Sequence, residues 1–274
     1  MAATRVFETT AKSVLSKSKI PGLDYAVNPY VGCEHACTYC YATFMKKFLR
    51  IPDEWGEFVG VKVNAAEVLG REARKKAPGV VTFGTVCDPY QDVEREYRIT
   101  RACLEVFSEV EGFDVGVLTK SDLVARDVDV LSHISGADVG LTITTLAADV
   151  AGVLEPGAPP PARRLAAMRE LASAGIGVWA FFGPVLPGLS DSEESVAEVL
   201  QAVSDAGASR VLVDRLNLYP KVWARLRPVL ERRFPGLVDV VQDVRRDPDS
   251  YERELRARVK RAAAAVGLPV DVCF

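Results

Sequence analysis

Asp114-Val115-Gly116-Val117-Leu118, then Thr119-Lys120-Ser121, then an amphipathic stretch over 123–134, is the unit of sequence that decides the fold class. A short, almost continuously apolar run suits a parallel strand covered on both faces. The polar turn and the amphipathic stretch that follow suit a return helix. Working outward, similar apolar runs stand at 80–84, 138–143, 176–182 and 210–214, and helices are expected at 95–108, 123–134, 162–174 and 192–205. Some of these end at glycine, as in Ala174-Gly175 and Ala206-Gly207, where a left-handed residue stops a helix. Strand alternating with helix implies βαβ units and a parallel sheet or barrel. A strand at 25–31 comes first and makes six, so the expectation is an α/β fold built on a six-stranded parallel sheet or barrel.

The segment 44–77 separates the first two strands as an insertion holding Trp55 and a helix from Ala65. Pro156 and Pro159 to Pro161 read as a stiff loop before a helix, because the strand–helix alternation continues across them. The tail at 249–265 reads as one helix whose mixed charges, Arg253, Arg256, Arg258, Lys260 and Arg261 against Asp249, Glu252 and Glu254, make a solvated face. The chain has 274 residues, 49% of them hydrophobic, enough for a large core without staples. One domain over 1–274 is expected, with a core at about 25–235 and a C-terminal helical extension at about 236–274. The 34 basic and 37 acidic side chains leave a net charge of −3. No global positive field draws the chain to nucleic acid or anionic lipid, so any such site is a local patch. Residues 1–19 carry charges every few positions and no long apolar run follows, so a cytoplasmic location without membrane contact is expected.

Three of the six cysteines fall within eight residues, in Asn28-Pro29-Tyr30-Val31-Gly32-Cys33-Glu34-His35-Ala36-Cys37-Thr38-Tyr39-Cys40-Tyr41. In a reducing compartment such a cluster points to metal before disulfide. Thiolates suit zinc and iron–sulfur clusters. A closed zinc site needs a fourth ligand, and the local candidate is His35, whose position two residues after Cys33 makes a compact cage awkward. A [4Fe–4S] cube on Cys33, Cys37 and Cys40 instead leaves one iron open. A non-catalytic Cys3His zinc protein stands as the alternative from outside the enzymes.

Cys-x3-Cys-x2-Cys with an aromatic before the third cysteine, on the loop after a first strand, resembles the radical S-adenosylmethionine (SAM) superfamily. The stretches 28–42, 84–94, 118–127 and 155–171 are similar to the branch that contains spore photoproduct lyase. The resemblance implies a partial (β/α)6 barrel of the radical SAM type. It implies a [4Fe–4S] cluster on the three cysteines, SAM on the open iron, and reductive cleavage to a 5′-deoxyadenosyl radical that abstracts hydrogen from a substrate. An electron donor such as flavodoxin or ferredoxin is the implied partner. The protein's own work is then positioning and exclusion of water around a reactive species.

The resemblance also suggests roles for single residues. Tyr39 would pack near the adenine. Cys87 and Asp88, leaving the second strand in Gly84-Thr85-Val86-Cys87-Asp88-Pro89-Tyr90-Gln91, would meet the amino and carboxylate end of SAM. Lys120 would pair with the SAM carboxylate. Thr142 and Thr144 are ribose candidates or plain strand residues. Arg164 matches an arginine of the branch, with a surface salt bridge as the equal explanation. Cys87 is also the candidate hydrogen donor in the radical step, against the reading of a buried, inert thiol. His35 is read as structural, and Cys103 and Cys273 as packing residues. The lyase's own donor cysteine corresponds to Thr85 here. Its DNA-engaging hairpin corresponds to 240–250, which is short and of mixed charge. Extruding a lesion needs a wedge and a cationic track. The favoured substrate is therefore something other than duplex DNA, with lyase-like DNA repair as the second enzyme reading and a nucleic-acid partner not favoured.

Overall fold

The computed structural model describes residues 4–46 and 51–274. All six expected strands are present and run parallel in sequence order. They are the third and the sixth to tenth of eleven: β1 (Arg5–Thr9), β2 (Ser16–Lys17), β3 (Tyr25–Val27), β4 (Tyr30–Val31), β5 (Phe58–Lys62), β6 (Val80–Phe83), β7 (Asp114–Thr119), β8 (Asp138–Thr142), β9 (Gly177–Val185), β10 (Val211–Arg215) and β11 (Val270–Val272). The large sheet has the order β11-β10-β9-β8-β7-β6-β3-β2. β2 is antiparallel to β3, and β11 extends the parallel set beside β10. Its edges β2 and β11 do not pair with each other, so the barrel is partial and open. Val117, Val139, Leu141 and Val213 are fully buried on one face of this sheet, and alternate residues of β7 and β10 such as Leu118 and Leu212 are half-buried on the other.

Several local expectations need correction. The stretch 25–31 is two strands: β3 joins the large sheet, whereas β4 joins β1 and β5 in a second, three-stranded sheet. Pro29 lies between them and has no N–H to continue a ladder. The helix expected over 95–108 is two, Glu94–Tyr97 and Ile99–Ser108, separated by Arg98 at φ 54°. The stretch 123–134 is a 3-10 turn, Asp122–Asp127, with a short α-helix, Val128–Leu131. Cys273 is exposed, not packed, while Cys103 is fully buried. The helices Pro161–Ser173, Glu193–Asp205 and Pro248–Val266 match expectation to within a residue or so. In the last of these, Tyr251, Leu255, Val259 and Ala262 form the buried stripe, and its basic face pairs with acids, Arg261 with Glu193 and Arg258 with Asp191. Among the described residues no helix is long and apolar enough to cross a membrane.

Candidate active site

The carboxyl ends of the parallel strands carry the chemistry-bearing loops, the end at which α/β barrels place their sites. The cysteine loop leaves β4 and is strapped on two sides. On one side, Gln91 accepts from Glu34 N at 2.8 Å and donates to the Gly32 carbonyl at 3.4 Å, while Glu34 accepts from Val93 N at 2.7 Å. On the other, Thr38 N donates to the Leu154 carbonyl at 2.8 Å and Gly157 N to the His35 carbonyl at 3.1 Å. A Cβ at Gly157 would lie 2.0 Å from the Glu34 carbonyl oxygen, so the turn Glu155-Pro156-Gly157 can seat against the loop only with glycine there.

Cys33 and Cys37 are buried and Cys40 is half-buried. Burial pushes all three thiols up, Cys37 to about 12, with Asp88 and the other two cysteines adding to the effect at Cys33. Lys120 works in the opposite direction at Cys37 and Cys40, and the Ala42 N–H and Arg225 at Cys40. Burial favours the neutral thiol at each position, and a soft metal that took the proton's place would relieve that cost. The buried Trp55 Nε1 points at the Cys40 sulfur and favours its thiolate form. The indole packs in one apolar cluster with Cys33 and Cys40, so a donor is already aimed at one of the three sulfurs. Among the described residues no three His, Cys, Asp or Glu side chains converge tightly enough to hold a single metal ion. His35, the zinc alternative's fourth ligand, faces Asp88 with Nδ1 at 3.2 Å from Oδ2, and it does not converge with the three cysteines on one point. The donor set therefore fits a cluster, in which each thiolate takes a different iron, better than mononuclear zinc.

Asp88 is saturated. Oδ1 accepts from Thr119 Oγ1 at 2.6 Å and Tyr90 N at 2.9 Å, and Oδ2 accepts from Lys120 N at 2.8 Å besides facing His35. Burial alone would raise this carboxyl, but His35 and the hydrogen bonds from Thr119 and Lys120 hold it at about 2. Asp88 thus ties the loops after β6 and β7 to the cysteine loop. Gly84 makes the first of these turns possible, at φ 94°, since a Cβ there would stand 2.2 Å from the Leu118 carbonyl oxygen. Beside it, Asn28 donates to Thr85 Oγ1 at 2.9 Å and accepts from Val86 N at 2.9 Å. The Cys87 thiol is buried and faces Asn28 Oδ1 at 3.7 Å, with burial pushing it up to about 12 and Cys40 close enough to add to the effect. Its other neighbours belong to the main apolar core, so this thiol sits on the border between core and site.

Three residues singled out in the sequence meet at one that was not. Glu155 accepts from Thr144 Oγ1 at 2.7 Å and from the Tyr39 hydroxyl on Oε1, and from Arg164 Nη2 on Oε2. Arg164 is fully buried and spends its other donors on the Thr142 carbonyl at 3.1 Å and the Pro159 carbonyl at 2.8 Å. A surface salt bridge is therefore ruled out for Arg164; the pair is internal. Burial would raise the Glu155 carboxyl, yet Arg164, Lys120 and the two hydroxyls keep it below its ordinary value. Glu155 escaped the sequence reading because a lone Glu-Pro-Gly looks like a turn, and only the fold brings residue 39 to it. Above the Tyr39 ring stands Lys120 Nζ, 5.8 Å from the centroid. Lys120 is half-buried and forms no ion pair or side-chain hydrogen bond among the described residues.

An open parallel sheet carrying a three-cysteine loop, a bridging acid–arginine pair and a free ammonium at its carboxyl end defines a barrel-type α/β protein with a cysteine-lined site. The family profile of the radical SAM superfamily matches residues 27–213, and the chain belongs to that superfamily. An uncharacterized protein of Methanocaldococcus jannaschii is 35% identical over 238 residues, 87% of each chain. An uncharacterized protein of Mycobacterium tuberculosis is 31% identical over 279 residues, covering 96% of this chain and 82% of its own. Among solved structures, a spore photoproduct lyase double mutant with bound AdoMet and dinucleoside spore photoproduct shares the fold, with TM-score 0.72 and 17% identity over 98% of this chain and 82% of that one. Superfamily membership supports SAM-dependent radical chemistry for this chain.

Proposed function

We propose that the protein reductively cleaves SAM at a [4Fe–4S] cluster held by Cys33, Cys37 and Cys40, and abstracts hydrogen from a substrate other than duplex DNA. What supports this reading is the strapped cysteine loop with Lys120 and the Tyr39–Glu155–Arg164 network beside it at one end of the sheet. When bound, the cluster supplies the electron that releases a 5′-deoxyadenosyl radical from SAM. The chain's residues hold the geometry. Lys120 offers an ammonium to the SAM carboxylate, Asp88 fixes the Lys120 backbone and His35, and Cys87 borders the methionyl end. Tyr39, fixed in plane by Glu155, gives the adenine a face to pack on, and Thr142 and Thr144 line the ribose side. Arg164 orients Glu155 and thereby Tyr39. A thiol S–H is the weakest hydrogen–heteroatom bond on offer, so Cys87 is also the proposed donor of a hydrogen atom to a product radical, the thiyl left behind being returned to thiol by one electron from the external donor and a proton from solvent. A flavodoxin or ferredoxin would deliver the electron.

The deciding experiment is anaerobic reconstitution of the wild type and of Cys33→Ala, Cys37→Ala and Cys40→Ala. Four irons per chain, absorbance near about 400 nm typical of thiolate-bound clusters and 5′-deoxyadenosine release with dithionite are expected of the wild type alone. A full cluster in any single variant would remove that cysteine from the ligand set. A colourless protein that holds zinc would overturn the reading.

A further inference from the structure

On the side of the cysteine loop that faces the three-stranded sheet lies a cavity of about 210 Å³, walled by Ser16, Asn28, Tyr30, Met45, Lys62 and Val86 among others. Lys62 is the last residue of β5 and half-buried. Its Nζ donates to the Asn28 carbonyl at 2.6 Å. Among the described residues it forms no ion pair. An ammonium has three donors, so two remain for an occupant. The Tyr30 hydroxyl on the same wall is spent on Glu94. The titratable groups nearest Lys62 are the Cys87 and Cys103 thiols, which burial keeps uncharged, and burial depresses the Lys62 amine. A cation drawn partly out of water with no counter-ion is unfavourable, and a bound anion relieves it.

The cavity also reaches the proposed chemistry. Asn28 forms part of its wall and contacts Thr85, Val86 and Cys87 through its side chain. At about 210 Å³ it is smaller than the roughly 300–1,000 Å³ of whole-ligand pockets, so it suits one end of a molecule. We propose that this cavity is a substrate subsite in which Lys62 binds an oxyanion group, a carboxylate or a phosphate, next to the Cys87 thiol. The assignment of the occupant as substrate rests on the function proposed above.

The test titrates inorganic phosphate and acetate separately into the reconstituted protein at ionic strength held constant with sodium chloride. The thermal unfolding midpoint is followed with and without saturating SAM. A saturable rise with one of the two anions is expected, and which anion saturates tells phosphate from carboxylate. Lys62→Met should weaken binding about tenfold or more, as for a lost hydrogen bond to a charged group, and Lys62→Arg should retain it. Ser16→Trp plugs the cavity from its exposed edge and should abolish the response with Lys62 in place; it decides the matter if Lys62→Met does not fold. No saturable response in the wild type, or an equal one in Lys62→Met or Ser16→Trp, overturns the subsite. Loss of the response with SAM also overturns it, by placing the cavity inside the SAM site. Iron content and 5′-deoxyadenosine release on the same wild-type sample judge the cluster reading separately from anion binding.

Discussion

The Lys120 ammonium stands over the Tyr39 ring and makes no ion pair among the described residues, so truncating it removes a ligand contact and little else. Lys120→Ala is expected to weaken SAM binding by about 1.5–3 kcal/mol, the range for a lost hydrogen bond to charge, with the cluster spectrum unchanged. Titration of SAM into the reconstituted variant measures this, and wild-type affinity would take Lys120 out of the site. Cys87 separates from it in readout. Cys87→Ser should keep cluster absorbance, SAM affinity and 5′-deoxyadenosine release, yet stall or divert the product radical, because an O–H bond is too strong to yield its hydrogen to carbon. A variant that loses the cluster or SAM binding would mark Cys87 as a structural thiol. The bounds of legibility show at these same residues. Cys33, Cys37 and Cys40 are local in sequence and stand out by their spacing, and Tyr39 between them is singled out by the resemblance. Glu155 is 116 residues from Tyr39, and no local pattern announces a contact of that range.

At the scale of elements, the helix Ala65–Ala73 does more than fill the insertion. Its Glu72 accepts from Ser13 Oγ at 2.6 Å, from Val14 N and Leu15 N at 2.8 Å each, and from Lys76 Nζ at 2.9 Å. It thereby clamps the segment that leads into β2. Desolvation would raise this carboxyl, but the four donors outweigh it and hold it at about 2. A depressed carboxyl stabilises the fold above its ordinary pKa and loses that contribution as pH falls toward the folded value. Glu72→Gln should therefore cost about 1–2 kcal/mol at pH 7, a lost charge-assisted contact reduced by solvent screening. The gap from wild type should shrink as pH drops from about 4.5 toward about 2. Urea melts across that interval check it, and a pH-independent gap would place the effect in packing. The broken helix at Arg98 has a similar tertiary cause. Glu94, buried, accepts from Thr100 N at 2.9 Å, from the Tyr30 hydroxyl and from Arg126 at 2.8 Å. The amphipathic period over 95–108 carries no trace of that interruption.

For the whole molecule, likeness to a spore photoproduct lyase is a likeness of fold at 17% identity, and two features underlie the expectation of a different substrate. Residue 85 is threonine at the position that the resemblance gives to the lyase's donor cysteine. The segment 240–250 lies in the helices Val238–Arg246 and Pro248–Val266 and forms no hairpin. Dinucleotide spore photoproduct is accordingly expected to remain unrepaired by reconstituted protein with SAM and reductant, assayed by chromatography of the released thymines. Efficient turnover would reverse the order of the two enzyme readings.

By itself the sequence determined the alternation of buried parallel strands with helices, because apolar periodicity is a local consequence of burial on one face or two. It determined the three-cysteine loop too, because side chains on one short loop need no folding to be counted. Only the tertiary structure decided that β4 leaves the main sheet for β1 and β5, since strand partners are chosen by neighbours distant in sequence. It alone turned Arg164 from a candidate surface charge into the buried partner of Glu155, and set Lys62 on a cavity beside the Cys87 loop. Those outcomes depend on burial and on contacts made across the fold, and neither is encoded in the spacing of residues along the chain.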